Sequence, residues 1–181
     1  MLGTLFKKKI REDQLADYFV NSVIHLVDEG FPEVVACIQT DASFVSQPPL
    51  QASDSDRFLF IVIAGNLKYI PQFFNDYQDI RLMEKIQQKF SKALDVPLAD
   101  FKELMTQYQR YFSRINHPSK NTHYAMSKAV FFKYDLNDYQ EDYFRNMKSP
   151  NPMLLKRLDD LMEHFIWKWE GILEKFRVSP D

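Results

Sequence analysis

Four glycines in 181 residues, Gly3, Gly30, Gly65 and Gly171, set the tightest limit on what this chain can fold into. Sheets built from hairpins need residues that accept positive φ at their turns, and the Asn-Gly and Asp-Gly pairs that supply them are absent. Apolar residues instead recur at three- and four-residue steps along almost the whole chain, the spacing of helices with one buried face. The expected fold class is all-α: a single-domain helical bundle of roughly six to eight helices spanning residues 1–181. With 45% hydrophobic residues, such a chain buries roughly 70% of the surface it exposes when unfolded and needs no disulfide or metal to hold its core.

The pattern assigns most elements. Residues 1–11, carrying Lys7, Lys8 and Lys9, are expected to be a flexible basic N-terminus. A first helix runs from about Glu12 to Asp28, with Gly30 as its C-terminal cap. Pro32 then suits the first turn of a short helix to about Thr40. Residues 41–53, with Pro48-Pro49, read as a long loop and the best place for a mobile excursion. Phe58 to Ile63 fits a buried strand or a helix that is apolar on every side. A lone strand has nothing to pair with, and Asp54-Ser55-Asp56 offers an N-cap, so a central helix from Asp54 to Ile70 is expected.

Pro71 restarts a helix to about Leu94, striped by Phe73, Tyr77, Ile80, Met83, Ile86 and Phe90. Helices follow over Asp100–Ile115 and Asn121–Tyr134, and a short acidic turn over Asn137–Met147 leads to Asn151-Pro152, a cap with a first-turn proline. The last helix carries the clearest seam: Leu155, Leu158, Met162, Phe165, Trp169, Ile172 and Phe176 alternate steps of three and four. Trp167 falls off that seam among Asp160, Glu163, Glu170 and Glu174, either half-covered by a neighbouring loop or part of a contact surface.

Several chemistries fail on spacing. Phosphate-binding loops need glycines close together so that backbone N–H groups approach the anion, and the nucleophile elbow needs them too. The residues three before the four histidines are Ser22, Arg114, Lys120 and Leu161, so the Glu-x-x-His pairs of di-metal bundles are missing. His25 with Glu29, and His164 with Asp160 and Lys168, read as charge pairs along helices, and Asp159-Asp160 as solvated charges. The expectation is a non-catalytic protein with no metal ligands and no cofactor.

Cys37, beside Val34, Val35 and Ile38, reads as a buried thiol, and a lone cysteine fits a reducing, cytoplasmic setting. No signal peptide or transmembrane segment is visible, the longest apolar run being Phe58 to Ala64.

The formal net charge of −2 conceals two blocks of opposite sign. Glu12 to Asp56 contains nine acids and no Lys or Arg. Leu104 to Tyr134 contains no acid, but Arg110, Arg114, Lys120, Lys128 and Lys133. Arg110 and Arg114 are one turn apart, and the His117–His123 connection leads to a helix N-terminus whose free N–H groups favour an anion. Candidate anion- or partner-binding residues are Arg110, Arg114, His117, Lys120, His123 and Lys128, with Trp167 as a further contact surface.

These cations either neutralise the acidic helices of the same fold or hold an acidic partner. The function expected is a cytoplasmic interaction or adaptor protein, self-association included. The alternative is a small-molecule-binding bundle with an aromatic-lined pocket and an anion site near the 117–123 loop. Nucleic acid is excluded as a partner, since a pI near 6.1 and a nine-acid neighbourhood repel phosphates.

Overall fold

Leu15, Phe19, Val23, Val27, Phe31, Val34 and Ile38 form one buried stripe along α1 (Glu12–Gln39) in the computed structural model, which describes residues 7–75 and 77–181. The sequence places a cap at Gly30 and a new helix at Pro32, yet α1 continues through both. Asp28 and Pro32 are exposed, so the carbonyl that Pro32 leaves without its i+4 donor faces water. Gly30 serves packing instead of capping: a Cβ there would lie 2.8 Å from the Phe165 ring. Cys37 lies at the edge of the stripe and is exposed, a correction to the buried thiol.

The ambiguous Phe58–Ile63 run is helical. It belongs to α2 (Ser55–Phe73), in which Phe58, Ile61, Val62, Ile63, Ala64, Leu67 and Ile70 are fully buried. This helix packs against α1, α3 (Gln78–Ala93), α4 (Leu98–Ile115) and α5 (Thr122–Lys133), which is why it is apolar all round. Gly65 permits the close approach of α5, since a Cβ there would lie 2.3 Å from the Met126 sulfur.

Asp54 does not cap α2 with its side chain; its carboxylate accepts from the Gln51 amide. The Tyr134 hydroxyl does related work, accepting from the Phe58 amide (3.0 Å) and donating to the Asp54 carbonyl (2.6 Å). Pro71 sits within the last turn of α2 and does not start a helix. Because α3 begins only at Gln78, Tyr77 and Ile80 leave the expected stripe and are exposed.

A 3-10 turn (Leu136–Tyr139) and α6 (Asp142–Met147) replace the acidic turn. Asn151 caps α7 (Pro152–Glu163) as expected, accepting from the Met153 amide at 2.9 Å. The long final helix does not exist: α7 ends at Glu163, and α8 (Trp169–Lys175) begins after a non-helical segment. Fully buried Asn66 holds this break, its Nδ2 donating to the Phe165 carbonyl (2.8 Å) and its Oδ1 accepting from the Trp167 amide (2.7 Å). Residues 167 and 169 on one helix would point roughly 200° apart. In the break both reach Phe19, at ring-centre distances of 5.4 and 5.1 Å.

Lys8–Arg11 form β1, which pairs in parallel with β2 (Phe176–Ser179), Ile10 opposite Val178. Residues 8–11 of the expected flexible tail are therefore a paired strand, and residues 1–6 lie outside the described residues. Loop 41–53 is irregular as expected but pinned: Arg157 grips the Asp41 carboxylate, Phe44 bridges Gln140, and Leu50 is buried. The described residues form a mostly helical domain, 70% helix, with eight α-helices and the two-strand sheet. Among them no helix is long and apolar enough to cross a membrane.

Candidate functional site

Burial of Phe101, Met105, Tyr108 and Phe112 on the inner face of α4 turns Arg110 and Arg114 to solvent. The Arg114 guanidinium lies 5.2 Å from the centre of the Tyr111 ring. Lys133, from the end of α5, places its ammonium 4.7 Å from Tyr111 and 4.9 Å from Tyr108. These residues, with Leu104 and Gln107, line an open groove of about 480 Å³. Burial pushes the Tyr108 and Tyr111 hydroxyls above their ordinary pKa, so both stay neutral beside the cations. The groove thus gathers three positive charges, two of them over aromatic faces, and no carboxylate lines it among the described residues.

His117 and Lys120 lie elsewhere. They line a second pocket, about 410 Å³, at the start of α5, together with Ser119, Asn121, Thr122 and Lys68 from α2. Asn121 caps α5, accepting from the Tyr124 amide at 3.1 Å. Lys128 supports this loop from below: its ammonium donates to Asn116 Oδ1 (2.9 Å), and Asn116 Nδ2 donates to the Asn121 carbonyl (2.9 Å).

His123 turns the other way, its Nε2 meeting the Asp159 carbonyl at 2.5 Å. Asp159 is not the solvated charge its sequence suggests. Burial pushes its carboxyl above the usual range, against the opposing pull of Ser127 and His123, and its Oδ1 is enclosed without a hydrogen-bond partner among the described residues. Asp159, Ser127 and His123 line neither the groove nor the pocket.

The six candidate residues therefore divide between a groove, a pocket, a loop support and a helix contact. Lys133 and Lys68 complete the first two. Both were legible as lysines, but only packing shows which face of α5 and α2 they occupy.

The acidic block finds its partners away from these cations. Glu12 pairs with Arg81 (2.8 Å), Asp13 and Asp17 with Lys89 (2.9 and 2.8 Å), and Asp41 with Arg157. Among the described residues Arg110, Arg114, Lys120, Lys128 and Lys133 take part in no ion pair. His25 and Glu29 are likewise exposed without pairing, and the His164–Asp160–Lys168 ladder is lost because α7 stops at Glu163.

Comparisons with protein-family models, curated proteins and solved structures give no match. Function has to be argued from the surfaces themselves.

Two further features bear on that. Trp167 is half-buried, edge-on to Tyr18 and Phe19 at 5.4 Å each, so α1 covers much of it. A cleft of about 540 Å³ between the end of α1 and α7 is lined by Cys37, Ile38, Leu154, Leu158 and Leu161, with Arg157 and His164 among its polar residues.

Proposed function

We propose that this chain is a cytoplasmic interaction protein whose Arg110–Arg114–Lys133 groove receives an acidic segment of a partner protein. The observation that carries the proposal is the unequal pairing of charge: four acids of the N-terminal block are paired to α3 and α7, while the basic groove has no carboxylate of its own. An exposed ion pair contributes only about 0.2–1 kcal/mol, so the aromatic faces of Tyr108 and Tyr111 supply the apolar contact that charge alone does not. Three cations are too few to track a nucleic-acid backbone. Asp28, Glu29 and Glu33 are exposed on α1 and in no ion pair among the described residues, and they give a second copy of this chain a surface of complementary sign. The exposed, lone Cys37 fits a reducing compartment.

The test is fluorescence anisotropy with an acidic peptide that carries leucines, run at two salt concentrations, alongside light scattering for oligomeric state. The wild type is expected to bind more weakly as salt rises, and Arg110→Glu with Arg114→Glu to weaken binding at least about tenfold at unchanged helicity. Equal binding by that double variant, with unchanged oligomeric state, refutes the proposal.

A further inference from the structure

We propose that two copies of this chain associate about a two-fold axis, α6 of each seating Tyr143 and Met147 in the apolar cleft between α1 and α7 of the other. The protruding helix is the first observation. α6 is six residues long and buries none of them. Tyr143 is 67% exposed and Met147 58%, one helical turn apart and so on one face. The helix packs chiefly against the 3-10 turn before it, and that face is left to solvent.

Val45 and Met153, also exposed, stand beside α6. Hydrogen bonds hold their segments to the residues that lead into the helix: the Val45 amide donates to the Tyr139 carbonyl (2.9 Å), and the Asn151 amide to Gln140 Oε1 (2.6 Å). Large apolar side chains scattered singly over a surface carry no meaning, but four gathered at one end of a molecule mark a contact.

The cleft is the second observation. It measures about 540 Å³, and Ile38, Leu154, Leu158 and Leu161 line it. Ala42 lines it too, three residues before Val45, and Leu154 directly follows Met153, so cleft and protrusion adjoin. A molecule that carries both on one side can give its α6 to a partner and receive the partner's in return, which closes the pair.

Charge complementarity selects a second copy as the occupant. Arg157 in the cleft is taken by Asp41, its Nη2 donating to Oδ1 at 2.7 Å, and His164 turns its Nδ1 to the Asp160 carbonyl (3.0 Å). The Asp160 carboxylate, on the same lining, is exposed and in no ion pair among the described residues. Lys148 directly follows Met147, is exposed, and is likewise in no ion pair among the described residues. Seating Met147 therefore brings Lys148 toward Asp160 in both halves of the dimer. Arg110, Arg114 and Lys133 do not line the cleft, so this surface is independent of the basic groove.

The experiment is sedimentation velocity of the full chain over a concentration series, with alkylation of the single thiol, Cys37, by a maleimide to report on the cleft that it lines. A monomer–dimer equilibrium is expected, with Cys37 reacting more slowly as the dimer forms. Tyr143→Ser with Met147→Ser should weaken dimerisation at least about tenfold. Lys148→Glu and Asp160→Lys should each weaken it about tenfold, because the axis repeats each like-charge contact. Mixed in equal amounts, those two single variants should pair with each other, since both contacts across the axis then join opposite charges. All these positions are exposed, so folding is not endangered. Arg110→Glu with Arg114→Glu should leave the dimer intact, which separates this surface from the groove. A chain still monomeric at millimolar concentration overturns the proposal, as does a dimer in which Cys37 reacts at the monomer rate. An open series of oligomers, or charge variants that dimerise like the wild type, overturns it equally.

Discussion

Replacing Asn66 with alanine removes the only side chain among the described residues that satisfies the break between α7 and α8. The residue is fully buried and makes three hydrogen bonds, to the Val62 carbonyl, the Phe165 carbonyl and the Trp167 amide. The Val62 carbonyl lies inside α2 and keeps its helical partner. The other two groups lose theirs, at about 1–3 kcal/mol each, so the expected cost is about 2–6 kcal/mol. That is a large share of the ~5–15 kcal/mol that holds a typical domain.

Of the two tryptophans of the chain, Trp167 lies in the break and Trp169 opens α8, so fluorescence reports on it directly. Urea unfolding followed by fluorescence and by far-UV ellipticity should show the Asn66→Ala fluorescence transition first, because α8 and β2 detach before the bundle melts. Asn66→Asp keeps an acceptor for Trp167 but buries a charge. It should be at least as damaging at pH 7 and recover partly as the carboxyl protonates. A loss below about 0.5 kcal/mol for Asn66→Ala, the range of an ordinary surface substitution, would refute the reasoning.

Glycine substitutions should separate by sign. Gly65→Ala drives a methyl against Met126 and is expected to cost about 1–3 kcal/mol, less the helix propensity gained, whereas Gly171→Ala meets nothing within 4 Å and should stabilise by up to about 1 kcal/mol; thermal melts decide both. Hydrogen bonding and charge from Arg81 outweigh burial and hold the Glu12 carboxyl below its ordinary value of 4.5. A depressed folded pKa gives stability that is fully present above 4.5 and lost as pH falls through the folded value. The stability gap between wild type and Glu12→Gln should therefore shrink below pH 4.5 in urea melts, and a gap independent of pH would exclude this role.

The helices were legible where the pattern and the packing agree. Phe58–Ile63 resolves to helix because α1, α3, α4 and α5 surround α2 and bury Phe58, Ile61, Val62 and Ile63, leaving only Leu59 and Phe60 half-buried. The final seam misleads for a physical reason: Phe165 and Trp169 are buried as the spacing requires, but the backbone between them is held by Asn66, about a hundred residues earlier, and nothing local marks that. Gly30 and Pro32 have the chemistry of helix ends, yet the packing of Phe31, Val34 and Val35 keeps α1 intact through them. The β1–β2 pair joins two four-residue strands from opposite ends of the chain, so no turn signal announces it.

For the site, the charges were visible and their grouping was not. Whether Arg110 and Lys120 share a surface depends on how α4 and α5 are rotated. That rotation is set by Phe112, Met126 and Phe131 in the core.

Lys133 has one more consequence, in the entropy of association. A lysine free in solvent gives up as much as about 2 kcal/mol of rotamer freedom when a ligand fixes it. Between the rings of Tyr108 and Tyr111 that restriction has already occurred on folding, and Arg114 is similarly confined over Tyr111. The groove therefore offers charges whose positions are set before anything arrives. Loosening them by Tyr111→Leu would reduce affinity while leaving every positive charge in place, and calorimetry would find the loss in entropy.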